Sequence, residues 1–93
     1  MATLHVLSHS PFADNRLASC LRLLGDNDAI LLTGDAVYAL LPGTAPRQQL
    51  EGKKVFALDE DLQARAIDTD VPHVDYPGFV QLTLDYDKVN TWL

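Results

Sequence analysis

The chain is short of cysteine, of basic residues and of long apolar runs, and each shortage removes a class of protein. Its one cysteine, Cys20, has no partner for an internal disulfide, which excludes a stapled secreted scaffold. Seven Lys and Arg stand against thirteen Asp and Glu, a formal net charge of −6. Affinity for a nucleic acid backbone comes largely from cations that displace counterions, so no direct nucleic acid binding is expected and any role in RNA metabolism is indirect. No apolar run nears the ~20 residues that span a bilayer. The first residues also lack the basic segment and apolar stretch of a secretory signal. By elimination, the expected location is cytoplasmic. Neither G-x-G-x-x-G nor G-x-x-x-x-G-K-[ST] occurs, and no nucleotide cofactor is expected.

What remains is ordinary folded protein. The 93 residues are 47% hydrophobic and 22% charged, too apolar for disorder and enough for one domain over 1–93 without a second core. A chain of this length buries only about two-thirds of its unfolded surface. Help from an interface is therefore expected.

Leu4–Leu7, closed by Ser8-His9-Ser10-Pro11, predicts a short buried strand. Ser10 before Pro11 predicts a helix N-cap. Leu17, Cys20, Leu21 and Leu24, at i, i+3, i+4 and i+7, carry that helix to about Leu24, where Gly25 ends it. Ala29–Thr33 is continuously apolar, as suits a strand covered on both faces. Asp35 is expected to cap a short helix from Ala36 to about Leu41, and residues 42–52 read as a surface loop. Val55–Leu58 predicts a third strand. Asp59-Glu60-Asp61 then opens a helix through Ile67, with its acids facing the positive end of the helix dipole. Val71–Tyr76 predicts a fourth strand and Pro77 a last helix with Phe79, Val80 and Leu82. Asp85–Leu93, with Val89 and Trp92, follows as a further strand or an extended cover. This alternation implies βαβ units. The fold class is α/β: a small flavodoxin-like sandwich, its sheet mostly parallel with about four to five strands and helices on both faces.

Sites in such sheets gather beyond the C-terminal strand ends, here Ser8–Phe12, Thr33–Asp35, Asp59–Asp61 and Asp75–Gly78. A Ser/His/Asp hydrolase drawn from Ser8, His9 and Asp35 or Asp59 lacks the strained elbow a nucleophile needs, and helix capping explains the serines better. His5, His9, Cys20 and His73 have no metal-ligand spacing, so no metal is expected, and His5 reads as a satisfied core or interface histidine. The acids at 59–61 read as a dipole-matched helix start and not as a cation site. Tyr38, Phe56, Tyr76, Phe79 and Trp92 either form an interaction surface or fill the core, the latter being the usual use of aromatics in a small domain. Cys20 is the one candidate catalytic residue, and a weak one. It falls mid-helix on the apolar stripe, where a thiol is buried and inert.

Four segments taken in order resemble the TusB/DsrH family: LHVLSHSPF (4–12), LLTGDAVYAL (31–40), VFALDEDLQARAI (55–67) and VDYPGFVQLTL (74–84), with Trp92 near the end. The order Gly34-Asp35 departs from the Asp-Gly expected of the family. The resemblance implies a subunit of a dimer of heterotrimers with TusC/DsrF-like and TusD/DsrE-like chains, and, from the apolar surface such an assembly buries, self-association of the chain when isolated. That complex passes persulfide sulfur to a downstream carrier, for 2-thiolation of the tRNA wobble uridine or, in the Dsr branch, for dissimilatory sulfur oxidation. It also implies that the main acceptor cysteine belongs to the TusD/DsrE-like subunit and leaves this chain a non-catalytic assembly role. The alternatives are a DsrH-type subunit with Cys20 as persulfide carrier, since DsrH-type members can hold a cysteine in the first helix, and a free-standing small-molecule binder.

Overall fold

The computed structural model describes residues 2–92. Five strands form one sheet: β1 (Thr3–Leu7), β2 (Ala29–Leu32), β3 (Val55–Leu58), β4 (His73–Val74) and β5 (Lys88–Trp92). Their spatial order is β4-β3-β2-β1-β5, and every pairing is parallel. Between them lie α1 (Arg16–Leu23), a 3₁₀ helix (Gly34–Leu40), α2 (Ala45–Gln49), α3 (Asp59–Ala64) and α4 (Tyr76–Asp85). The expected tail strand is present as β5, beside β1; Leu93 lies outside the described residues.

Strand alternation divides the core in two. On the first face Leu7, Ile30, Leu32, Val55 and Ala57 pack with Leu17 and Cys20 of α1, Val37 and Leu40 of the 3₁₀ helix, Leu50, and Leu62 of α3. On the second face Leu4, Val6, Ala29 and Leu31 pack with Phe56, Val74, Phe79, Leu82 and Tyr86. Right-handed crossovers account for this division. Each step from β1 to β4 moves one strand over with its helix on the first face. The return from β4 to β5 must cross the whole sheet on the other side, so α4 covers the second face alone.

Several boundaries differ from expectation. Ser10 caps no helix: its hydroxyl accepts from Phe12 N at 3.2 Å and its carbonyl from Ala13 N at 3.1 Å, closing a single turn. The helix waits until Arg16, because Asp14 holds the Arg16 N–H at 3.0 Å and the sheet-facing stripe begins only at Leu17. Asp35 lies inside its helix instead of capping it, and Thr33 occupies the N-cap position. The expected loop at 42–52 contains α2, capped by Thr44, whose hydroxyl accepts from Arg47 N, and anchored by buried Leu50. α3 stops at Ala64, short of Ile67. Ala66 turns left-handed at φ 52° while Ile67 N reaches back to Leu62 O at 3.0 Å, a Schellman closure. β4 keeps only two residues, because it pairs on one side only and Asp75 already caps the next helix.

Candidate functional site

The chain leaves β3 into α3 toward the first face and leaves the adjacent β4 into α4 toward the second. In open parallel sheets the crevice beyond such a pair of strand ends is where sites form. Its side chains come from two segments, one at the start of α3 and one around β4 and the start of α4. His73 Nδ1 lies 3.2 Å from Asp59 Oδ1, and Gln63 donates to the other Asp59 oxygen at 2.9 Å. Asp75 caps α4 by accepting from Gly78 N at 2.9 Å, next to Pro77 in its first turn. Glu60 bridges the two helices. Its Oε2 accepts from Tyr76 N at 3.4 Å, and its Oε1 is enclosed with no hydrogen-bond partner.

The rim continues toward β2. Gly34 N donates to Asp61 Oδ2 at 2.8 Å. Gly34 has φ +50°, and a Cβ there would sit 3.2 Å from Ser8 O, so glycine lets the ends of β1 and β2 close up without strain. Arg65 donates to Asp35 at 2.9 Å, also reaches Asp61, and lies 5.9 Å over the Tyr38 ring. The bond to Asp35 raises the Arg65 pKa, and the Asp35 and Asp61 charges add to the effect.

Set against this geometry, the sequence candidates separate. Ser8 and His9 are exposed beyond β1, while Asp35 is taken by Arg65 and Asp59 by Gln63 and His73. Among the described residues no serine hydroxyl is bonded to a histidine, so the hydrolase constellation is not assembled. Nor do His5, His9, Cys20 and His73 converge: among the described residues no group of three His, Cys, Asp or Glu could hold a metal ion. His5 lies inside the sheet on β1, with Asp28 and Trp92 as its partners, and His73 lies on the far edge strand. Of the aromatics, Tyr38, Phe56, Phe79 and Trp92 pack against the core and Tyr76 faces outward.

Cys20 is fully buried in the first-face core. Burial pushes its thiol up to about 11, and the Asp28 carboxylate adds to the rise. Asp28 precedes β2, so Cys20 feels the end of the sheet opposite the crevice. The strand ends offer carboxylates, a half-exposed imidazole and an enclosed carboxylate oxygen, and no thiolate. Sequence reading singled out the strand-end segments but not the bridge from Glu60 to α4, for which the acidic run at 59–61 was the only signal.

Comparison with known proteins adds to this. A model of the DsrH-like protein family matches residues 9–89. Protein TusB of Escherichia coli O81 is 38% identical over 95 residues, covering 96% of this chain and 99% of that protein. Protein TusB of Shigella boydii serotype 18 matches at the same 38% and the same coverage. The crystal structure of YchN from E. coli superposes with a TM-score of 0.79 over 99% of this chain and 100% of its own, at 24% identity, which is a likeness of fold. The solution structure of Tm0979 from Thermotoga maritima covers 91% of this chain and 93% of its own at a TM-score of 0.63 and 25% identity. Among the described residues no helix is long and apolar enough to cross a membrane.

Proposed function

Since the chain belongs to the DsrH-like family, we propose that it is a non-catalytic subunit of a cytoplasmic sulfur-relay complex serving 2-thiolation of the tRNA wobble uridine. The observation that carries this reading is the 38% identity to TusB proteins over 96% of the chain. In persulfide transfer a thiolate attacks the outer sulfur of a donor persulfide, the S–S bond breaks, and the donor leaves as its own thiolate. That step needs an accessible thiolate. Cys20 offers neither access nor ionisation near neutral pH. The chain's part is then to shape and dry a contact beside partner subunits of TusC/DsrF-like and TusD/DsrE-like kind, one of which carries the acceptor cysteine. The net charge of −6 accords with tRNA being handled downstream.

The test is a gene deletion with 2-thiouridine quantified in hydrolysed tRNA. Deletion is expected to remove the modified base, and both the wild-type chain and Cys20→Ala to restore it. Full 2-thiouridine in the deletion strain overturns the reading. A folded Cys20→Ala chain that fails to restore it would overturn the non-catalytic role. A deletion that leaves 2-thiouridine intact but abolishes sulfur oxidation would favour the second reading, in which Cys20 carries persulfide in a DsrH-type sulfur-oxidation complex. The one feature in favour of that alternative is the placement of the thiol on α1.

A further inference from the structure

The two faces of the sheet are unequally covered. α1, the 3₁₀ helix, α2 and α3 roof the first face, and α4 alone lies on the second. Five strands spaced about 4.8 Å apart place the outer two roughly 19 Å from each other, whereas a helix with its side chains is about 10–12 Å across. One helix cannot roof that width, and the shortfall appears as exposure. Val89 of β5, paired with Leu4 on the second face, remains 42% exposed. α4 turns Phe79 and Leu82 to the sheet and leaves Tyr76, Val80 and Leu84 outward, at 55%, 58% and 74% exposure. A spacing of four sets these three in one row along the helix.

The charges around this row specify its partner. From residue 75 to residue 87, across α4 and its two ends, the sequence carries Asp75, Asp85 and Asp87 and no Lys or Arg. Asp75 caps α4, Asp87 follows its end, and Asp85 on the helix itself accepts from Gln81 at 2.9 Å. The nearest cation in sequence beyond the helix, Lys88, is in register with Thr3 and so points to the first face. A second copy laid on this face would set one acidic segment against another. An apolar strip bordered by Lys or Arg would meet it with complementary charge.

We propose that the outer row of α4, with Val89 beside it on the second face, is where this chain docks a different subunit whose apolar strip is rimmed by Lys or Arg. The proposal rests on the relay-subunit reading and adds to it the surface and the charge of the contact. To test it, the tagged chain is co-expressed with the TusC-like and TusD-like chains of its own genome, and recovery of each is measured. Val80→Asp and Leu84→Asp are compared with Leu23→Asp, which alters an equally exposed leucine on α1. All three side chains are already exposed, so folding is expected to persist and is checked by circular dichroism melts. Val89→Asp repeats the test from the sheet side should a helix variant misfold.

The expected result is a loss of about tenfold or more in partner recovery for the α4 variants, with Leu23→Asp near wild type. Asp85→Lys should also weaken capture, most strongly at low salt. Undiminished recovery by the α4 variants overturns the surface, and tighter capture by Asp85→Lys overturns its charge. A stable low-salt homo-oligomer dispersed by Leu84→Asp makes a second copy the occupant and overturns the proposal as well. If the wild-type chain recovers neither partner, the relay-subunit reading falls and the docking proposal falls with it.

Discussion

The indole N–H of Trp92 donates to Nδ1 of His5 at 3.1 Å, joining β5 to β1 across 87 positions of sequence. An indole can only donate, so Nδ1 is the acceptor and the ring proton sits on Nε2, which faces Asp28 Oδ2 at 3.3 Å. Asp28 in turn accepts from Thr3 N and Gly25 N, each at 2.9 Å. This chain of bonds fastens an edge strand whose other four residues are exposed.

Trp92→Phe keeps an aromatic ring but removes the donor, leaving Nδ1 of a 4%-exposed histidine unpaired. The expected cost is about 1–3 kcal/mol, read as a lower urea midpoint by circular dichroism. An unchanged midpoint would mean that His5 finds another donor.

Asp28 contributes to acid sensitivity. The Gly25 N–H lowers its pKa most, with further lowering from Thr3 N–H and His5 that outweighs desolvation. A folded pKa below the unfolded 3.8 contributes stability that is complete above that value and lost as pH falls through the lower folded one. Asp28→Asn should be less stable than wild type near neutral pH, with the gap narrowing below pH 3.8. A constant gap across that range would remove Asp28 from the acid response.

Cys20 sets an alkaline counterpart. Its thiol is raised from 9.0 to about 11, by desolvation first and then by Asp28. The associated stability is complete below 9.0 and is lost as pH rises through about 11. Cys20→Ala should flatten that decline. In the native protein a thiol reagent should react only on unfolding, and rapid stoichiometric labelling under native conditions would contradict the buried thiol.

Ala66 occupies the left-handed position that closes α3, at φ 52°. Glycine there relieves a cost of about 1–2 kcal/mol, partly offset by the roughly 0.4–1 kcal/mol of unfolded-state freedom that glycine adds. Ala66→Gly should therefore raise the thermal midpoint slightly, measurable by calorimetry. A lower midpoint would show that the methyl group's packing outweighs the backbone term.

The isolated chain should stay monomeric at low salt and begin to self-associate as salt screens Asp75, Asp85 and Asp87 along the exposed α4 row. Light scattering across a salt series reads this directly. Association that instead weakens with salt would point to ion pairs between copies.

Much of the fold was legible because its signals are local. Continuous apolarity at Ala29–Leu32 marked a strand buried on both faces, and Asp75 with Pro77 carries the start of α4 in four residues. α2 was missed although Thr44-Ala45-Pro46 is a helix-start pattern, because Leu50 alone anchors it and no periodicity announces it. The α1 start was misplaced because a capping pattern at Ser10-Pro11 also fits a lone turn. The strand-end segments of the candidate site could be named from sequence. Which two adjoin a switch in connection could not be.

By itself the sequence determined the alternation of strands and helices, the apolar positions that became the core, and the acidic character of residues 75–87. Those properties depend on neighbours within one or two turns of chain. Only the tertiary structure decided that β5 lies beside β1, that Trp92 meets His5, that Asp59 meets His73, and that α4 covers one face alone. Strand order follows from crossover handedness and from which face still has apolar surface to bury, and both are properties of the assembled sheet.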